Sequence, residues 1–381
     1  MKTFRYCSTL VIALNCACSS QIDSTADRIA LLRLESLPTA VDPVNNKASN
    51  ATQVLGKFLF FDPILSGQKD IACATCHIPA RGYADGIDLS IGVGGRGLGE
   101  SRVDFSGGTI PIVGRNSQTI INTAFNGLIS IHENYDPRMA PMFWDGRRKS
   151  LEDQSAAPTT SFNEMRGNGY SVEAAYDSII GRLKKIPEYR ILFTGAFGSP
   201  DSITQQHIGK AIAAFERTII SNNSRYDQFV KGDESALTQP QKLGLLLFYG
   251  KANCATCHSG PMFSDYNYYN LGIPYNPKRA DADRGLDNKF LFRTPSLRNV
   301  TLTAPYMHNG MFPTLESVIK HYSNAESQNS DITAVDSKMQ PLHLTQEEVN
   351  VLVDFLSSLT DTGYDQVMPT RVPSGLNPGG N

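Results

Sequence analysis

With 381 residues, 35 basic against 37 acidic side chains and a formal charge of −2, the chain is long enough for two ordinary domains, each with its own core. No stretch gathers Lys and Arg into a patch, which argues against nucleic acid as a partner. Past the N-terminus, no segment is apolar for long enough to cross a bilayer.

The N-terminus, "MKTFRYCSTLVIALNCACSSQ", sets Lys2 and Arg5 ahead of an apolar run from Leu10 to Leu14 with small residues after it. That pattern predicts a secretory signal over residues 1–18 and export to the periplasm. Cys16 and Cys18 resemble a lipoprotein processing site. Cys18, between Ala17 and two serines, is the better candidate for a lipid anchor, although Asn15 departs from the apolar residue usual at that spacing. Residues 19–50 read as a flexible lead into a domain over 51–228, a second over 229–362 and a tail over 363–381.

Three of seven cysteines, Cys7, Cys16 and Cys18, fall in the signal, leaving Cys73, Cys76, Cys254 and Cys257 for the mature chain. Two disulfides would be the ordinary expectation for an exported protein. The spacing argues otherwise, because the four lie in "CATCH" at residues 73–77 and "CATCH" at 254–258. Two thiols on one helical turn reach both vinyl groups of a porphyrin, and the following histidine is aimed at the iron. Zinc would want more Cys or His nearby, and a redox pair does not need the histidine. Cys73, Cys76 and His77 therefore hold one c-type haem in this reading, and Cys254, Cys257 and His258 a second.

The lead-ins "LGKFLFFDPILSGQKDIACATCH" and "LGLLLFYGKANCATCH", and the later "RNSQTIINTAF" and "RTPSLRNVTLTAP", suggest two copies of one unit. Between the motifs, "GVGGRG" (92–97) matches a dinucleotide-binding pattern, but no helix follows it, and it reads as a flexible loop beside the first haem. "SITQQHIGKAIAAFERTII" opens on an S-x-x-Q capping box at Ser202, and "TQEEVNVLVDFLSSL" on a T-x-x-E box at Thr345. Convincing strands are absent. The fold class is mostly α, two cytochrome c-like haem domains arising from an internal duplication.

A haem that carries electrons has both axial positions filled, whereas one that reacts with peroxide keeps one free. After His77 there is no histidine until His132 and no methionine until Met139, which favours an open iron in the first domain.

Taken in order, "LFFDPILSG", "CATCH", "GRNSQTIINTAF", "FWDGRRKSLEDQ" and "RTPSLRNVTLTAPYMHNG" resemble the bacterial di-haem cytochrome c peroxidases, including their MauG-like branch, from about Leu55 to Leu359. The resemblance implies that Trp144, the single tryptophan, relays electrons between the haems, and that Gln154 and Glu164 stand over the open one. A glutamate there suits the chemistry, since breaking a peroxide O–O bond needs a proton moved between its oxygens. Many members place a blocking histidine in the loop after the first haem; Val93 stands at about that position here, implying reaction with peroxide without prior reduction. The resemblance further implies a calcium ion at Asn116, Thr303 and Pro305, the last two through carbonyl oxygens.

For the distal ligand of the second haem, Met307, His308, His321 and Tyr322 lie nearby in sequence. The family's methionine position falls on Tyr322. In "TLESVIKHY", Leu315, Val318, Ile319 and Tyr322 share one apolar face, Glu316 and Lys320 pair on the wet side, and His321 points about 100° away from Tyr322. Tyr322 is the expected ligand, with Met307 or His308 as alternatives and His321 left as a surface or supporting residue. An anionic oxygen ligand lowers a haem's potential, as in the MauG-like branch.

The leading function is thus a periplasmic di-haem peroxidase, its partners hydrogen peroxide and a small donor cytochrome or copper protein. One alternative is MauG-like oxidation of aromatic side chains on a partner protein. Another is a di-haem electron carrier without enzymatic activity. A second copy of the chain, in a homodimer, is a further candidate partner.

Overall fold

The computed structural model describes residues 24–381; the signal and its cysteines, Cys7, Cys16 and Cys18, lie outside the described residues. The helices are α1 (Thr25–Ala30), α2 (Asn50–Phe61), α3 (Cys73–Cys76), α4 (Ser150–Gln154), α5 (Ala156–Thr160), α6 (Ala175–Lys184), α7 (Pro187–Phe197), α8 (Gln205–Glu216), α9 (Arg225–Val230), α10 (Gln239–Tyr249), α11 (Leu315–Asn324) and α12 (Gln346–Ser357). Three antiparallel pairs of two-residue strands complete them: β1 (Gly95–Arg96) with β2 (Val103–Asp104), β3 (Pro141–Met142) with β4 (Arg148–Lys149), and β5 (Tyr268–Tyr269) with β6 (Phe292–Arg293). The fold is helical, as the sequence predicts.

Two helix crossings organise the chain, and each depends on a glycine. In α2, a Cβ on Gly56 would lie 1.9 Å from the Ala211 carbonyl oxygen of α8; in α10, a Cβ on Gly244 would lie 1.9 Å from that of Val351 in α12. Only glycine lets the backbones approach so closely. Around the first crossing pack Leu55, Leu59, Phe60, Phe61, Ile212 and Phe215; around the second, Leu245, Phe248, Phe263, Leu352 and Phe355. Phe60 meets Phe215 at 5.3 Å between ring centroids, and Phe248 meets Phe355 at 5.1 Å, the aromatic contacts that fix each crossing.

The echoed segments make the same turn. Asn122 and Asn299 are left-handed, with φ of 62° and 59°, and each leads into a 3₁₀ turn. Asn122 bonds the strand of chain just past α8, accepting from the Ser221 amide at 2.8 Å, as Asn299 accepts from the Asp361 amide just past α12 at 2.8 Å.

Thr345 and Glu348 form the expected capping box of α12. For α8 the expectation is corrected. Thr204, in extended conformation, caps the helix by accepting from the His207 amide, while Ser202 is buried and its hydroxyl donates to the Phe193 carbonyl.

Two segments expected to be flexible are held. Within residues 24–50, Ile29 packs against the second core and Leu37 beside Phe125, while Asn46 donates to Glu152 at 2.7 Å. The "GVGGRG" loop is pinned as well: Gly92 lies so close to residues 163–164 that a Cβ would be 2.1 Å from the Asn163 carbonyl oxygen, and Gly95–Arg96 forms β1. Residues 363–381 return across the first half: the Tyr83 hydroxyl donates to the Asp365 carbonyl, Ser374 to Asp62, and Thr75 to the Gly379 carbonyl at 2.7 Å.

Candidate active site

Each CATCH segment follows the first helix of a crossing pair, the first as α3 and the second as a 3₁₀ turn over Cys254–Thr256. Each histidine is oriented alike. His77 Nδ1 lies 3.1 Å from the Tyr83 carbonyl oxygen and His258 Nδ1 2.9 Å from that of Phe263. Tyr83 and Phe263 both have left-handed backbones, with φ of 55° and 52°, which turn those carbonyls back onto the rings. A carbonyl can only accept, so Nδ1 carries the proton and Nε2 keeps its lone pair for a metal. Burial depresses the pKa of both imidazoles, favouring the neutral form that ligates.

One cavity of about 720 Å³ is lined by both CATCH motifs. Burial pushes the thiols of Cys73, Cys76 and Cys254 up to about 12, so these sulfurs stay neutral, as suits thioether formation better than a thiolate metal cage. Among the described residues, no three His, Cys, Asp or Glu side chains converge as metal ligands. The cavity, the paired sulfurs and the free Nε2 atoms fit haem c at each motif.

The other expected residues meet on the same cavity. Trp144 lines it, donating from Nε1 to the Asn116 carbonyl at 3.0 Å and accepting at its own carbonyl from the Arg293 amide at 2.7 Å. Gln154 reaches it from the end of α4, and Glu164 from the turn Phe162–Arg166. Burial raises the Glu164 carboxyl, opposed by Arg147, Ser161 and Arg115. Val93 is buried and donates its amide to the Asn163 carbonyl at 3.1 Å. His132 and Met139 are exposed and off the cavity wall, whereas Met142 and Met165, beyond the stretch the sequence argument weighed, do line it.

On α11, Leu315, Val318, Ile319 and Tyr322 all line the cavity, and Glu316 pairs with Lys320 at 2.6 Å outside. The Tyr322 hydroxyl makes no hydrogen bond among the described residues; burial and the neighbouring Cys257 and Cys254 push its phenol above the ordinary range. Met307 also reaches the cavity, with φ of 73°. His308 stacks on Phe292 at 3.6 Å near Arg115 and Arg279, and burial lowers it to about 3. His321 is not at the surface, being 1 % exposed, and it does not line the cavity. Its Nε2 donates to the Leu271 carbonyl at 2.8 Å and its Nδ1 accepts from Gln328 at 3.1 Å, because a loop covers that flank of α11.

Asn116, Thr303 and Pro305 share the cavity wall, and Asn116 Nδ2 donates to the Ile87 carbonyl at 2.8 Å, leaving Oδ1 without a hydrogen bond among the described residues. The sequence reading missed Glu216. It lines the cavity at 4 % exposure without a side-chain hydrogen bond among the described residues, and burial pushes it to about 8. Its signal was available: Glu216 sits eight residues after Ile208 and four after Ile212, on the inner stripe of α8.

Residues 50–235 match the family model for di-haem cytochrome c peroxidase. The methylamine utilization protein MauG of Methylorubrum extorquens is 33% identical over 350 residues, spanning 90% of this chain and 86% of that protein. The chain belongs to the di-haem cytochrome c peroxidase family. The cytochrome c551 peroxidase of Nitrosomonas europaea is 32% identical over 327 residues, covering 84% of this chain and 83% of that protein. A crystal structure of a MauG-like protein associated with microbial copper homeostasis superposes with a TM-score of 0.68 at 28% identity, covering 85% of this chain and 95% of that one. As a member of this family the chain is a di-haem peroxidase, an oxidoreductase with two haem c groups.

Proposed function

We propose that this peroxidase works in the periplasm, reducing hydrogen peroxide at the haem of Cys73, Cys76 and His77 with electrons that enter through the haem of Cys254, Cys257 and His258 and pass by Trp144. The observation that carries this reading is the single cavity joining both motifs, with Trp144, Glu164, Gln154 and Tyr322 on its wall. Repeated crossings at Gly56 and Gly244 and repeated turns at Asn122 and Asn299 support an origin of the two halves by duplication. The exported location rests on the N-terminal sequence, and a lipid anchor at Cys18 remains part of the proposal.

Bound haem supplies an iron that exchanges electrons with peroxide. His77 and His258 would hold the irons through Nε2, each ring fixed by its carbonyl partner. Glu164, its carboxyl raised by burial, takes a proton from one peroxide oxygen and returns it to the departing one, and two electrons with two protons from solvent convert peroxide to two waters. Gln154 orients peroxide by hydrogen bonding. Trp144 offers an aromatic ring fixed by its Nε1 bond to the Asn116 carbonyl of the first half, while its own backbone carbonyl accepts from the Arg293 amide of the second. Asn116 Oδ1 and the carbonyls of Thr303 and Pro305 are oxygen donors of the kind calcium takes.

A second reading has a specific observation behind it. The Tyr322 hydroxyl, unpartnered in the cavity and close to Cys254 and Cys257, is suited to ligate the second haem iron, as in MauG-like oxidation of a partner protein's side chains. The test adds peroxide to the as-isolated ferric protein. Turnover with a reduced small cytochrome or copper protein supports the first reading, and oxidised side chains on a candidate partner the second. A ferric spectrum with no high-spin, five-coordinate signal would sink both and leave an electron carrier.

A further inference from the structure

Arg102 is 4 % exposed and has no Asp or Glu carboxylate within 4.0 Å among the described residues. A buried guanidinium normally has an anionic partner. Two of the other deeply buried arginines follow that rule, Arg217 with Glu152 at 2.7 Å and Arg298 with Asp227 at 3.0 Å, whereas Arg293, 5 % exposed, donates like Arg102 to backbone oxygens, those of Phe143 and Thr294. Arg102 donates to four backbone oxygens: that of Gly97 at 2.7 Å through Nη1, that of Gly92 at 2.7 Å through Nη2, and those of Ile91 and Asn381. Three of the four belong to one loop, residues 91–97.

That loop rests on the turn that carries Glu164. The Val93 amide donates to the Asn163 carbonyl at 3.1 Å. A Cβ on Gly92 would meet the Asn163 and Glu164 carbonyl oxygens at 2.1 and 2.6 Å, and one on Gly167 would meet Val93 Cγ1 at 2.8 Å. The two segments are therefore in contact on both flanks of Glu164, backbone to backbone at 163–164 and backbone to the Val93 side chain at Gly167.

We propose that Arg102 is the positioning residue for Glu164, fastening loop 91–97 against residues 163–167 so that the peroxide site is assembled before any electron arrives. This rests on the reading of Glu164 as the acid/base. Residues 379–381 take part, since the Asn381 backbone oxygen occupies one of the Arg102 donors and its amide donates to the Asp70 carbonyl at 3.0 Å, just ahead of Cys73. A side chain with one amide group cannot replace four converging hydrogen bonds.

The test compares the holoprotein with its Arg102→Gln and Arg102→Lys variants. Arg102→Gln should speed hydrogen exchange in residues 91–97 and 162–167 while leaving 254–258 unchanged. It should also slow the reaction of the ferric protein with peroxide about tenfold or more. The pH profile should move to lower pH as water reaches Glu164, which faces Arg147 from the β3–β4 hairpin, Arg115 from the echoed segment, Cys76 from α3 and Ser161 from its own turn. Arg102→Lys, with the charge but three donors, should fall between. Unchanged exchange at 162–167, or faster exchange with wild-type rate and pH profile, would overturn the proposal. Wild-type reaction in Glu164→Gln would overturn the acid/base reading instead, and the exchange result would still decide whether Arg102 fastens the loop.

Discussion

Glu164, half-buried, and Glu216, buried, both stand on the cavity wall, and their surroundings give them different work. Glu164 has Ser161, Arg147 and Arg115 nearby, charge and polarity that let a carboxyl both take and release a proton. Glu164→Gln should therefore lower the rate of reaction with peroxide by roughly 10²–10⁴-fold while haem content by pyridine haemochrome stays at two per chain. Glu216 has a large upward shift from burial, and its effect should be on stability. Its carboxyl is raised from 4.5 to about 8, so the folded chain holds a proton that the unfolded chain releases between those values, and stability falls as pH rises through that window. Glu216→Gln should melt close to wild type at pH 5 and higher than wild type at pH 8 by calorimetry. For Tyr322, the Phe variant should alter the absorption and potential of the low-spin haem; an unchanged spectrum would remove it from the iron. Sequence pattern correctly put Tyr322 on the inner face of α11, but it could not foresee that His321 is covered too, because the loop bearing Leu271 is fifty residues away in sequence.

At the scale of elements, the recurring unit is a helix crossing followed by a haem-binding turn. The crossing is governed by Gly56 and Gly244, which carry no side chain and no chemistry of their own. Gly244→Ala forces a methyl group into the space of the Val351 carbonyl, so α10 must move away from α12, at a cost of about 1–3 kcal/mol. Thermal unfolding should show this as a loss of several degrees, with the second haem's spectrum disturbed before the first's. The start of α12 was legible because Thr345 and Glu348 are a local signal; the start of α8 was misread because Thr204 competes with Ser202 two residues earlier, and burial of Ser202 against Phe193 decides between them.

Across the whole molecule, the ends of the described chain hold the halves together. Residues 24–50 run from the second core to Glu152 of the first half, and residues 363–381 run back over α2 and the first CATCH segment. Arg115 joins the halves from within, at 2.7 Å from Asp145 and 2.6 Å from Asp283. Deleting residues 370–381 removes the Ser374–Asp62 and Thr75–Gly379 bonds and uncovers Ile71, so haem content should fall toward one per chain, with loss confined to the first site. Equal loss from both sites would mean that the tail stabilises the molecule generally.

The sequence by itself determined the haem motifs, the helical class, the inward face of α11 and the family, since each is written in short spacings: two cysteines and a histidine on one turn, apolar residues at helical period. Tertiary structure alone decided which of these residues share one cavity, why the "GVGGRG" loop is held, and that Glu216 and Arg102 matter. Those facts depend on contacts between segments up to some 280 residues apart, such as Arg102 with Asn381, which no local pattern encodes. Burial, which sets the protonation of Glu164 and Glu216, is a property of the packed chain and not of the residue.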